Sequence, residues 1–461
     1  MKTIATVFYT IPILYLFWFD QRKSSGVSDA IWIPFIWFLF ATSRPISFWL
    51  SYAFSIGSFG GSSAEEGNVI EQIYTIGLMV AGVCALRRRE IHWQRLLTDN
   101  VWIVVFFVFA LFSFAWSDYP FVSLKRLLKT LGTVVMALVI LSEERPYEAI
   151  GVILRRMAYI HLPLSVLFIK YYPHLGRFYH GHGAEINAGV AGYKNGLGVI
   201  CLISCIYFAW VLLLDRWRES SCEQHLHYSI YLVVTPMIAW LLYRSHSATA
   251  FLCLAVSLCL LILGRQHTFA DNPRRLIVLG AALTLSYVVF EFLLDVGINS
   301  FIISMLGRRP DLTTRVPMWE ELLSMVQNPL LGFGFESFWL GRRADIIEQH
   351  WGIDKQAHNG YLDMYLNLGS IGVFLSLAYI LAGFKKTYRS LFVDYPSAIL
   401  RLCFLVVFVL FNWTENGFHL QNPMWLLLLL SIMDSLAPDS AESEIPEVSS
   451  RESSAAEQGA T

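Results

Sequence analysis

The chain has 461 residues, 56% of them hydrophobic and only 15% charged, against about 45–50% apolar and 25% charged in soluble domains. Its 34 Lys and Arg against 35 Asp and Glu leave a formal charge of −1, which excludes a basic nucleic-acid binder and an acidic solvated tail protein. The charges bunch between long apolar runs, the pattern of a polytopic membrane protein.

A bilayer core of roughly 30 Å needs about 20 mainly apolar residues per helix, because no backbone polar group goes unpaired in lipid. In chain order such runs lie near residues 4–19, 30–50, 69–86, 101–117, 124–141, 157–173, 195–214, 228–244, 247–263, 276–294, 368–384, 398–412 and 420–435. They predict an all-α integral membrane protein of thirteen transmembrane helices, within a range of about 12–14. Helices 1–10 then occupy residues 1–294, a long periplasmic loop 295–367 and helices 11–13 residues 368–435. The Ser-, Glu- and Ala-rich stretch 436–461 reads as a disordered cytoplasmic tail. The first run ends in Phe17-Trp18-Phe19-Asp20 without a small-residue cleavage site and reads as a retained helix. The seven cysteines lie mostly inside the runs, without metal-like spacing, and read as small packing residues.

Lys and Arg in the short loops set the direction. Alternating thirteen spans puts Arg87, Arg88, Arg89, Arg95, Arg216, Arg218, Arg265, Arg274, Arg275, Lys385, Lys386 and Arg389 on one side, with Arg22, Lys23 and Arg145. That side is cytoplasmic, and the N-terminus lies outside. The outward connections 51–68 and 413–419 carry no Lys or Arg.

Three outward segments break this bias: the long loop, residues 170–194, and Trp116-Ser117-Asp118-Tyr119-Pro120 followed by Lys125, Arg126 and Lys129. Cations there either anchor headgroups by snorkelling or meet a phosphate-bearing substrate. Within the long loop, Thr313-Thr314, a first-turn Pro317 and Asn328-Pro329 bound a short amphipathic helix. The Gly-punctuated turn Leu330-Leu331-Gly332-Phe333-Gly334-Phe335 has no preceding strand and no Lys-Ser/Thr, so it is not read as a nucleotide-phosphate loop. His174, His180, His182 and Glu185 match no standard zinc spacing, and no metal or cofactor is expected. The neighbouring Tyr171, Tyr172, Phe178 and Tyr179 suit sugar stacking or an interfacial aromatic belt. Arg44, Glu71 and Glu291 lie in or beside spans, where a charge is a functional hypothesis by default, but the sequence names no partner for them.

The string Gly307-Arg308-Arg309-Pro310-Asp311-Leu312-Thr313-Thr314-Arg315, then Trp319, then Asn328-Pro329-Leu330-Leu331-Gly332-Phe333-Gly334, then His358-Asn359-Gly360-Tyr361-Leu362 resembles the O-antigen ligase and polymerase family. Thr314 stands where the family usually has Gly before the Arg, which alters the turn but keeps the charge. The stretches Trp116–Pro120 with Ser123-Leu124-Lys125-Arg126, Gly192-Tyr193-Lys194-Asn195-Gly196-Leu197-Gly198 and Asn412-Trp413-Thr414-Glu415 resemble the exopolysaccharide polymerase branch. The resemblance implies a multi-span (GT-C-like), inverting, metal-independent glycosyltransferase of the bacterial inner membrane, active on the periplasmic face. It implies a polyprenyl-diphosphate-linked oligosaccharide as donor, a glycan or lipid acceptor, and flippase and chain-length regulator proteins as partners. The long loop becomes the catalytic one.

Displacing a lipid diphosphate from an anomeric carbon needs a fixed cation for the leaving group and a proton acceptor for the attacking hydroxyl. Arg suits the first task because it is always charged and binds bidentately, and His the second because its ordinary pKa is near 6.5. Arg315 and His358 are the catalytic candidates. A His at this place either takes the proton or orients the acceptor, and an Arg there either meets the diphosphate or binds lipid headgroups. Substrate-binding candidates are Arg308, Arg309, Arg126, Lys194, Asn359, Trp319 and Glu415. A flippase or transporter, and a ligase acting on lipid A core, stay open beside the polymerase.

Overall fold

A computed structural model describes residues 2–23, 26–54, 68–179, 185–214, 221–288, 315–352, 356–419 and 422–436. In chain order the helices are α1 (Lys2–Lys23), α2 (Trp32–Ala41), α3 (Ile46–Phe54), α4 (Val69–Arg87), α5 (Trp93–Asp99), α6 (Val101–Phe112), α7 (Pro120–Leu141) and α8 (Pro146–Tyr171). The single turn α9 (Pro173–Gly176) leads into a two-stranded antiparallel ribbon, β1 (Arg177–Tyr179) and β2 (Glu185–Asn187), in which Phe178 faces Ile186. Then come α10 (Lys194–Leu213), α11 (Ser221–Ser245), α12 (Ala248–Arg265), the turn α13 (His267–Ala270) and α14 (Arg274–Val288). The last group is α15 (Arg315–Ser324), α16 (Gly341–Trp351), α17 (Gly360–Ser390), α18 (Tyr395–Thr414) and α19 (Pro423–Ile432).

Local chemistry marks where these helices start. Asn68 accepts from the Ile70 N–H at 2.9 Å and Asn422 from the Met424 N–H at 3.0 Å, each satisfying a first-turn donor. Pro opens α7, α8, α18 and α19, where its missing N–H costs nothing.

The protein is mostly helical and polytopic, but thirteen full spans are not reached by length and composition. Helix covers each predicted run in whole or in part. Among the described residues six helices, α4, α8, α10, α12, α17 and α18, are long and apolar enough to cross a membrane, or up to eight if each of two bent pairs is one span. The first pair, α2 and α3, bends by 80°, and Pro45, which disfavours helix at the residue before it, stands at the break. The second pair, α5 and α6, bends by 86° at Asn100. There the side chain caps the Leu96 carbonyl at 2.9 Å and accepts from Lys386 Nζ at 2.9 Å. The predicted start of the late helices at 368 also moves: α17 begins at Gly360 and 368 lies beside its kink at Gly369. Residues 437–461 of the predicted tail lie outside the described residues, as do Arg308, Arg309 and Glu291.

Helices α8, α10 and α18 form the buried centre of the bundle, while α4 turns Ile73, Ile76 and Val80 outward, as a lipid-facing helix does. Small residues allow close approach: a Cβ on Gly198 would lie 2.8 Å from the Ser247 Cβ. The two ends differ in chemistry. At one end ion pairs gather: Arg89 on Glu143 between the loops after α4 and α7, Asp20 of α1 between Arg155 (2.9 Å) and Arg156 (2.7 Å) of α8, and Asp434, just past α19, between Arg401 of α18 (3.0 Å) and Lys386 of α17 (3.5 Å). The opposite end carries the N-termini of α10 and α17 and the C-terminus of α18. The Lys2 end of α1 lies there too, since Thr6 hydrogen-bonds Tyr172, the residue after α8, at 2.8 Å.

Candidate active site

The glycine-punctuated turn is a lock on a broken helix. Helix α17 breaks at Gly369 (φ 63°, ψ −166°), which strands backbone groups on both sides. The turn supplies their partners: Phe333 and Gly334 N–H donate to the carbonyls of Leu366 (3.1 Å) and Asn367 (2.8 Å). In return Ser370 N–H donates to Pro329 O at 2.8 Å and Ile371 N–H to Leu330 O at 3.3 Å. Non-helical backbone at membrane depth is tolerated when protein satisfies it in this way. Gly332 and Gly334 have φ of 64° and 96°, and a Cβ on either would come within 2.6 Å of Asn367 backbone or the Ser117 side chain. The segment 116–126 clamps the same turn from α7. Trp116 Nε1 donates to Leu331 O at 3.2 Å, Asp118 pairs with Arg343 at 2.7 Å, and the Arg126 guanidinium donates to the Glu336 carbonyl.

Above this lock α15 and α16 pack on one another. Glu321 accepts from Trp351 Nε1 at 2.7 Å and contacts His350 Nδ1 at 2.8 Å, and the Trp351 hydrogen bond holds its carboxyl below the usual range. Trp319 Nε1 donates to Ala357 O at 2.8 Å, fixing the backbone one residue before His358. Asn359 caps α17, accepting from Tyr361 and Leu362 N–H at 3.0 and 3.1 Å. Trp319 and Asn359, read from the motif as substrate contacts, therefore both carry structural bonds that place His358 between them.

Three segments converge on the carboxylate of Glu415, 5% exposed at the end of α18. Asn195 Nδ2 donates to its Oε1 at 2.6 Å, and the Gly360 N–H donates to its backbone carbonyl at 3.0 Å. Arg315 Nη2 lies 3.9 Å from Oε1, with Nη1 donating to Thr414 O at 3.1 Å. His358 Nδ1 lies 3.5 Å from Oε2. That nitrogen is buried, has no hydrogen-bond partner among the described residues, and sits on a residue held at φ 51°. Backbone strain of this kind clusters at functional sites. Arg315, His358 and Glu415 are thus brought together. Lys194 is not: it is exposed on the first turn of α10, while its neighbour Asn195 reaches the carboxylate. Consecutive helical residues point about 100° apart, and the stretch Gly192–Gly198 marks the segment without saying which of the two faces inward.

A second carboxylate, Asp363, escaped sequence reading. It is 2% exposed and holds Trp339 Nε1 at 2.7 Å, Asn416 Nδ2 at 2.8 Å and the Ala357 N–H at 3.2 Å. It ties three loops to the start of α17, and Asn416 is the residue next to Glu415. Asp363→Ala leaves these donors buried without an acceptor, at about 1–3 kcal/mol each. The expected result is a melting temperature well below wild type in detergent, with Asp363→Asn in between.

The histidine segment does not assemble as a metal centre in what is described. Glu185 is taken by Arg244 (2.8 Å) and Arg177 (3.3 Å), and His174 by the Tyr52 hydroxyl (3.2 Å). His180 and His182 lie outside the described residues. Among the described residues no three His, Cys, Asp or Glu side chains come together to hold an ion.

Residues 230–377, which contain Arg315, the locked turn and His358, match the family model described as O-antigen ligase. That stretch is similar to the O-antigen ligase family. The chain is also 27% identical over 315 residues to the exopolysaccharide production protein ExoQ of Rhizobium meliloti (strain 1021), covering 64% of this chain and 67% of that protein. The motif resemblance to the ligase and exopolysaccharide polymerase family is borne out by both. The family match ends before Glu415, so the carboxylate that gathers the site lies outside it.

Proposed function

We propose that this protein is an inverting membrane glycosyltransferase of surface polysaccharide synthesis that extends glycan repeat units from a polyprenyl-diphosphate-linked donor. The observation that carries this reading is the convergence of His358 and Arg315 on Glu415 at one end of the bundle. The acceptor hydroxyl oxygen attacks the anomeric carbon of the donor, and its proton passes to His358 Nε2. The bond from that carbon to the diphosphate oxygen breaks, and the lipid diphosphate leaves with the electron pair toward the Arg315 guanidinium. A single displacement of this kind inverts the anomeric centre. Glu415 faces Nδ1, so it orients the ring and stabilises the imidazolium that forms, the third-group role of catalytic triads. The opposite end holds Arg87, Arg88, Arg89, Lys385, Lys386 and Arg389, which by the positive-inside rule supports a cytoplasmic place for it and a periplasmic one for the site.

Arg315→Ala is expected to abolish product while membrane insertion stays normal, and glycan of unchanged length and amount would remove Arg315 from the reaction. ExoQ favours a polymerase, and the family description keeps a ligase as the second reading. Deleting the gene and sizing the surface glycan separates them. Single repeats in place of long chains indicate a polymerase, and long lipid-linked chains that never reach an acceptor indicate a ligase. Lipid scrambling by the reconstituted protein without new glycosidic bonds would replace both with a flippase.

A further inference from the structure

The break between α2 and α3 holds a buried cation that meets no carboxylate among the described residues. Arg44 is 6% exposed, and its guanidinium lies between the rings of Phe48 (4.5 Å to the centroid) and Phe178 (5.1 Å). It donates to one carbonyl, that of Leu175, and pairs with no carboxylate among the described residues. Glu71, on the adjacent helix, accepts from the Ser47 N–H at 3.0 Å and makes no ion pair with Arg44. The other buried arginines differ: Arg156 and Arg401 each meet an Asp. A buried charge is tolerated only when something compensates it, and two aromatic faces and one carbonyl fall short of a full charge.

The position of the break suits an anion of the lipid surface. Helix α3 turns 80° from α2, which packs along α4, α7 and α8, so α3 runs across the direction of the bundle. It exposes Phe48, Tyr52 and Phe54, the aromatic pattern of a helix at a membrane interface, the level at which lipid phosphates lie. The same place connects with the active site. Arg44 N–H donates to Val190 O at 3.2 Å, and Gly192 leaves room for the Arg44 stem, since a Cβ there would lie 2.9 Å from Arg44 Cγ. Asn195, three residues on, holds Glu415. A cleft lined by Thr42, Ser43, Ala191, Tyr193 and Asn422 runs between the break and the α19 start.

We infer that Arg44 is a second anion subsite, which takes a phosphoryl group of a membrane lipid at the α2–α3 break. The inference rests on the proposed reaction only for which lipid that is, the donor diphosphate being the one expected. The test is arginine-selective modification of the full-length protein in detergent by phenylglyoxal, followed at Arg44 by peptide mass spectrometry. The probes are a polyprenyl diphosphate, phosphatidylglycerol and inorganic pyrophosphate. Polyprenyl diphosphate is expected to slow modification of Arg44 at least about tenfold, the scale of one charge-assisted hydrogen bond. Equal protection by phosphatidylglycerol makes the subsite a general lipid-phosphate site. Protection by pyrophosphate alone overturns the lipid source. An Arg44 that is unreactive without ligand, or equally reactive with all three, overturns the subsite. Protection that persists in Arg315→Gln and in an inactive His358 variant separates this result from the fate of the glycosyl-transfer reading. Arg44→Lys, which keeps the charge and loses the fork, is expected to bind the polyprenyl diphosphate more weakly than wild type while folding normally.

Discussion

His358→Asn is expected to lower glycosyl transfer by about 10²–10⁴-fold while leaving membrane insertion and melting temperature near wild type. The magnitude is that of a positioned general base. Asparagine is the informative replacement because the residue sits at φ 51°, a left-handed conformation that Asn adopts more readily than Ala. The backbone between Trp319 and the α17 cap therefore stays in place when the ring goes. Glu415→Gln tests the other half of the pair. It preserves shape and an acceptor for Asn195 Nδ2, which donates at 2.6 Å, but removes the charge that faces His358 Nδ1 at 3.5 Å. A positioning role predicts a fall in kcat with little change in KM, because the imidazolium exists only after proton transfer. A carboxylate that merely binds sugar would raise KM instead. Both are measured on purified protein with a lipid-linked donor, and His358→Asn retaining activity within tenfold of wild type would remove the base from the scheme.

What the sequence made legible follows from how local each signal is. Apolar runs of about 20 residues need no partner to be recognised, and helix is found in every one of them. Their count as spans was less legible because Pro45 breaks one run into a pair bent by 80° and Asn100 joins another, at 86°, to the short α5 ahead of it, and a bend leaves no mark on hydropathy. Arg315, His358 and Glu415 stood out by motif, and the fold brings the first two to the carboxylate of the third. Asn195 and Asp363 were missed because a polar residue in an apolar helix declares its role only when the chain 220 or 53 residues away comes to meet it. The same holds for Trp319 and Asn359, whose motif positions were clear and whose work, bonding Ala357 and capping α17, is tertiary.

The glycines of the loop motif make the sharpest case, and Gly369→Ala is expected to have the largest effect on folding of any substitution considered. Position 369 lies at φ 63°, where a Cβ costs roughly 1–2 kcal/mol by itself. The Cβ would also sit 2.2 Å from both the carbon and the oxygen of the Leu330 carbonyl, closer than any relaxed contact. Those atoms are backbone, so no rotamer change relieves the overlap. The turn at 329–334 must move away, and the hydrogen bonds at Leu366, Asn367, Ser370 and Ile371 go with it. Away from water each stranded group costs further. The total exceeds about 3 kcal/mol, enough to remove most of a membrane domain's margin. Gly77→Ala is the control, since nothing lies within 4 Å of a Cβ there and Ala is the better helix former. Thermal melting and size-exclusion profiles in detergent should show Gly77→Ala equal to or above wild type and Gly369→Ala aggregated or strongly destabilised. If the two variants melt together, the turn is not what holds the broken helix.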